Sequence, residues 1–145
     1  MARPPPPEPV YFLDENLDSE AFEEALCAAG MRFIRISRGP EPFRKGMLDS
    51  EWIPLVAARR WWGVTFDVRT RKRPTEIEAI RSSGAVHIIV QGKKMTMPER
   101  AGALVAARHR LDQRIPPLEP PVIVFVFPDG RIEIVEGARS GGVRR

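Results

Sequence analysis

The sequence predicts an α/β fold: an open, mostly parallel sheet with helices on both faces, finished by a C-terminal hairpin strand. Three observations carry this. Five short apolar runs alternate with four segments of helical character, an order that favours parallel strands joined by crossover helices. The pair Asp129-Gly130 then joins the fifth run to a sixth, and Asp-Gly suits a tight hairpin turn. Finally, the chain has 145 residues, 43% of them hydrophobic, enough for one domain with a sizeable core.

Taken in order, residues 1–9 form a Pro-rich tail, expected to be disordered or polyproline II. Val10-Tyr11-Phe12-Leu13 reads as a buried strand. Asp18 or Ser19 caps a helix whose Phe22, Ala25, Leu26 and Ala29 share one face, and Gly30 stops it. Arg32 to Ile36 alternates as a second strand, and residues 38–47, with two prolines and two glycines, form a loop. Asp49 or Ser50 caps a second helix through Trp52, Leu55, Val56 and Arg59, with Pro54 tolerated near its start. Trp61 to Phe66 is a third strand, and a short helix lies near Thr75–Ser82. Val86 to Val90 is a fourth strand. Thr96 and Glu99 have capping-box spacing and open a long helix carrying Ala101, Leu104, Val105 and Leu111. Val122 to Phe127 and Arg131 to Val135 form the terminal hairpin, and residues 138–145 are a Gly- and Arg-rich tail. The domain is thus expected over residues 10–137.

Composition excludes several classes of protein. One cysteine, Cys27, rules out a disulfide framework and a Cys-based zinc site, and two distant histidines disfavour a His-rich one. No apolar run approaches a membrane span, and the N-terminus lacks the apolar core of a secretory signal. The expectation is a cytoplasmic protein in which carboxylates hold any metal. Charge is uneven. Residues 1–51 carry a net −4 and residues 52–145 a net +8. An acidic cluster beside a basic field suits metal-assisted chemistry on a polyanion, although a solvated Arg-rich surface has the same composition.

In open parallel sheets, ligands bind outside the carboxyl ends of the strands. Asp14 directly follows the first strand, Asp67 directly follows the third, and Asp49 starts the helix that leads into that third strand. Three separate segments thus bring acids to one sheet edge, with Glu15 and Glu51 adjacent. Carboxylates drawn together repel unless a proton or a cation intervenes. Hard oxygen ligands select Mg²⁺ or Mn²⁺, which can activate water against a phosphodiester. Arg69, Arg71, Lys72 and Arg73 follow in sequence and could hold a phosphate backbone. Each part also has a plainer reading. Asp49 could be a helix cap, Asp14 a strand end, Asp67 a turn cap, Glu51 a first-turn acid, and the basic run a solvated face. His87 reads as a core or edge strand residue and His109 as exposed. Trp52, Trp61 and Trp62 could stack on bases but read better as core or partner contacts. No phosphate-binding glycine loop or nucleophile elbow is present.

Tyr11-Phe12-Leu13-Asp14-Glu15-Asn16-Leu17, Asp49-Ser50-Glu51-Trp52-Ile53 and Val64-Thr65-Phe66-Asp67 together resemble the PIN-like domain family. The nearest kind is the VapC-toxin-like branch, related to the Mut7-C type. The resemblance implies a three-layer α/β/α sandwich with a central parallel sheet. It also implies a Mg²⁺- or Mn²⁺-dependent endoribonuclease, often the toxin of a toxin–antitoxin pair and often a homodimer. On that resemblance Asp14, Asp49 and Asp67 would be the catalytic, metal-binding acids, with Glu15 and Glu51 as further candidates, and Thr65 would help position Asp67. RNA and an antitoxin protein would be the partners. The loop 37–48 offers only Glu41 where such nucleases commonly carry a further acid. The competing reading is a catalytically silent PIN-like module that binds RNA or protein. A phospho-acceptor receiver domain would need a lysine after the last parallel strand, where Phe127-Pro128-Asp129 stands.

Overall fold

The computed structural model describes residues 8–66 and 74–139, with side chains as far as Gly137. The strands are β1 (Val10–Leu13), β2 (Arg32–Arg35), β3 (Trp62–Phe66), β4 (Val86–Val90), β5 (Leu118–Val126) and β6 (Ile132–Arg139). The helices are α1 (Glu20–Ala28), α2 (Asp49–Ala58), α3 (Pro74–Ser83) and α4 (Met97–Arg114). The sheet runs in the order β2-β1-β3-β4-β5-β6. The first five strands are parallel, and β6 is antiparallel to β5.

Strand alternation sends side chains to two separate cores. Tyr11, Leu13, Val64, Ile88 and Val124 pack with α1 and α4 on one face. Phe12, Ile89 and Ile123 pack with Trp52, Ile53 and Val56 of α2 and Ala79 and Ile80 of α3 on the other. The result is a three-layer α/β/α sandwich. The chain leaves β1 towards β2, then crosses back over the opposite face to β3. The strand order therefore switches between β1 and β3. The crossover through α4 advances in the same direction as those through α2 and α3, but over the α1 face, so its hand is opposite to theirs. It brings the α4 N-terminus to the carboxyl edge of the sheet from the side opposite α2.

Local chemistry sets the ends of the elements. Ser19 caps α1 by accepting the Phe22 N–H at 3.2 Å, and Gly30 follows the helix at φ +69. The reciprocal Thr96–Glu99 box opens α4. The sequence led us to expect Asp49 or Ser50 as the cap of α2, but Leu48 occupies that position and Asp49 is already helical. The exchange is possible because the Glu51 carboxylate accepts the Leu48 N–H at 2.8 Å. At the other end of α2, Arg60 adopts a left-handed conformation, φ +59, unusual for a residue with a side chain. β5 begins four residues before the expected Val122, because Leu118 and Glu119 pair with Arg139 and Ala138 across an irregular register. The hairpin therefore extends two residues past position 137. Between sheet and α4, the Tyr11 hydroxyl donates to Asp112 at 3.1 Å. Burial and the Asp112 carboxylate raise its pKa well above the ordinary value.

Candidate active site

Asp14 leaves β1 at the point where strand order switches, with 3% of its surface exposed. The register that pairs Leu13 with Val64 sets the next residues, Asp14 and Thr65, side by side. The Thr65 hydroxyl donates to Asp14 Oδ2 at 2.5 Å, and the Asn16 N–H donates to Oδ1 at 3.1 Å. The Thr65 hydroxyl and the Asn16 amide thus orient the Asp14 carboxylate at the sheet edge. Thr65, expected to position Asp67, holds Asp14.

Asp49 reaches the same edge from the first turn of α2. Its Oδ1 accepts the Trp52 indole N–H at 2.9 Å. Trp52 is itself fixed. Its ring stacks 5.7 Å from His87 of β4 and tilts 5.2 Å from Phe12 of β1. It also lies directly over Gly63 of β3, where a Cβ would stand 3.0 Å from Trp52 Cζ3. The glycine that interrupts β3 therefore makes room for the indole that orients Asp49. His87 is a core residue, as its place in a strand suggested.

The two neighbouring glutamates are engaged with backbone. Glu15 accepts the Gly46 N–H at 2.5 Å, tying the turn after β1 to the loop before α2, and Glu51 is held by Leu48. Asp67 follows the last residue of β3 and lies outside the described residues, as do Arg69, Arg71, Lys72 and Arg73. Among the described residues, no three His, Cys, Asp or Glu side chains gather closely enough to hold a metal ion. Asp14 and Asp49 are hard-oxygen donors at this edge and suit part of a divalent-cation site.

One arrangement escaped sequence reading. The side chain of Asp18, just past the Asp14 turn, is fully buried and bonds Arg35 at 2.7 Å and the Ser37 N–H at 2.8 Å. Arg35 also meets Glu23 at 3.0 Å, and Arg38 meets Glu23 at 2.7 Å. Burial works against the ionised form of Asp18. The hydrogen bonds from Ser37 and Arg35 outweigh it and hold the carboxyl below its ordinary value. This network clamps the turn that begins at Asp14 against the end of β2. The only sequence signal was an arginine ending a strand one turn of chain from a helix rich in glutamate.

No helix among the described residues is long and apolar enough to cross a membrane. No curated protein and no solved structure matches the chain. A family model described as PIN like domain matches residues 9–92, more than half of the chain and the whole stretch from β1 through β4 that carries Asp14, Asp49, Thr65 and Asp67. With its parallel sheet, its flanking helices and acids at the carboxyl edge, the chain belongs to the PIN-like domain family.

Proposed function

We propose that the protein is a divalent-metal-dependent endoribonuclease of the VapC-toxin-like kind, the toxin of a toxin–antitoxin pair. The observation that carries this reading is the buried Asp14 at the strand-order switch, oriented by two donors. Asp14, Asp49 and Asp67 would hold Mg²⁺ or Mn²⁺, which supplies an activated water and stabilises charge on the phosphodiester. Thr65 and Asn16 aim the Asp14 carboxylate, and Trp52 aims that of Asp49. Glu15 and Glu51 hold the two loops that frame the site. Arg69, Arg71, Lys72 and Arg73 would contact RNA.

A second reading, a PIN-like module that binds RNA or protein without cutting, draws support from the engagement of Glu15 and Glu51 with backbone amides. Incubating purified protein with single-stranded and structured RNAs, with Mg²⁺, Mn²⁺ or EDTA, separates the two. The nuclease reading expects metal-dependent cleavage that Asp14→Asn and Asp67→Asn each abolish. Absence of cleavage with RNA binding retained would favour the module.

A further inference from the structure

The basic side chains of the described residues fall into two groups. Most are committed within the fold. Arg35 and Arg38 pair with Asp18 and Glu23, Arg81 with Glu136, and Arg131 with Asp129. Arg108 and Arg110 donate to the carbonyls of Ala29 and Gly130. Arg59 lies over Phe43 and Trp61, and Arg100 over Phe66. Among the described residues six basic side chains have no such partner: Arg44, Lys45, Arg60, Lys93, Lys94 and Arg114. All six are exposed.

Four of the six lie at the carboxyl edge of the sheet. Arg44 and Lys45 precede Gly46, whose N–H is held by Glu15 next to Asp14. Lys93 and Lys94 lie on the loop that leaves β4 for α4. The other two, Arg60 and Arg114, lie at the far ends of α2 and α4, at the opposite edge. Among the described residues none of the four forms an ion pair, and the neighbouring Glu15, Glu51 and Glu99 turn to the amides of Gly46, Leu48 and Thr96 instead.

We infer that Arg44–Lys45 and Lys93–Lys94 form two basic lips on either side of Asp14 that hold the phosphates of a single RNA strand laid across the carboxyl edge. The inference rests on the RNA-directed function proposed above and adds four basic residues to those at positions 69–73. Exposed, uncommitted cations facing solvent on both sides of an acidic centre attract a polyanion and release its counterions on contact.

The test uses the full chain in EDTA, so that no cleavage occurs, and a fluorescein-labelled single-stranded oligoribonucleotide followed by anisotropy across a NaCl series. Each phosphate contact on a single strand contributes about 0.7 to the slope of log K against log salt. The variants Arg44→Gln/Lys45→Gln and Lys93→Gln/Lys94→Gln should each lower that slope by about 1.4. The charge-matched control Arg60→Gln/Arg114→Gln should leave it unchanged. All six positions are exposed, and circular dichroism melts of each variant serve as the check on folding. Equal losses in the control, or a slope unchanged in both lip variants, would overturn the inference. A parallel cleavage assay on the same oligonucleotide with Mn²⁺ keeps the two proposals apart. The lip pattern without cleavage sinks the nuclease alone, and cleavage with unchanged slopes sinks the lips alone.

Discussion

Replacing Gly63 with alanine tests how the Asp49 side of the site is built. The new Cβ would stand 3.0 Å from Trp52 Cζ3 and 3.5 Å from both Trp52 Cη2 and His87 Nδ1. Trp52 cannot yield easily. It is 1% exposed and bounded by Phe12 and His87. Overpacking of this kind costs about 2 kcal/mol. Alanine recovers about 0.7 kcal/mol through the lower backbone entropy of the unfolded chain. The net expectation is a loss of about 1.3 kcal/mol, read as a shifted urea midpoint with an unchanged m-value. The displaced indole also disturbs its 2.9 Å bond to Asp49, so the Trp52 Nε1–H resonance should move in a ¹⁵N-correlated spectrum. In a Trp52→Leu background the extra methyl no longer meets the indole, and the cost of Gly63→Ala should shrink by at least about 0.5 kcal/mol. A neutral or stabilising Gly63→Ala, or the same cost in both backgrounds, would refute the reasoning.

Three further outcomes are expected. Thr65→Val keeps the side-chain shape but removes a donor from the buried Asp14 carboxylate, which should cost about 1–3 kcal/mol in urea unfolding at neutral pH; no measurable loss would mean that Thr65 does not hold Asp14. Arg60→Gly relieves a left-handed backbone at φ +59 and should stabilise by about 0.5–1 kcal/mol, seen as a raised melting temperature. Asp18→Asn breaks a buried ion pair and should cost about 3 kcal/mol at neutral pH. Because the folded-state pKa of Asp18 lies below its ordinary 3.8, its contribution is complete above that value and lost as the pH falls through the lower one. The stability gap between wild type and Asp18→Asn should therefore close in acid, and a gap independent of pH would contradict the assignment.

Much of the architecture was legible because it rests on local signals. The apolar runs at 10–13 and 86–90 match their strands residue for residue, since each is fully apolar or nearly so and sharply bounded. The Thr96–Glu99 spacing marked the start of α4, because a capping box is a chemical contact between near neighbours. Helix caps with two candidates were less legible. Asp18 and Ser19 were equal on sequence, and the choice depended on Arg35, which draws Asp18 away. Asp49 resembled a cap, and its carboxylate turned to Trp52 instead.

Sequence alone determined the α/β class, the order of the elements and the arrival of Asp14 and Asp49 at the carboxyl edge, because period, turn chemistry and strand ends are properties of short segments. It could not determine which acid is buried, which is braced by an indole and which serves a backbone amide. Those roles depend on partners far along the chain: Thr65 lies 51 residues from Asp14, and Gly46 lies 31 from Glu15. The need for Gly63 was likewise hidden, because its reason is the Trp52 ring delivered by a helix over the sheet. The division of the bases into committed and uncommitted groups emerged in the same way, since an ion pair depends on where two side chains meet and not on how many charges a segment carries.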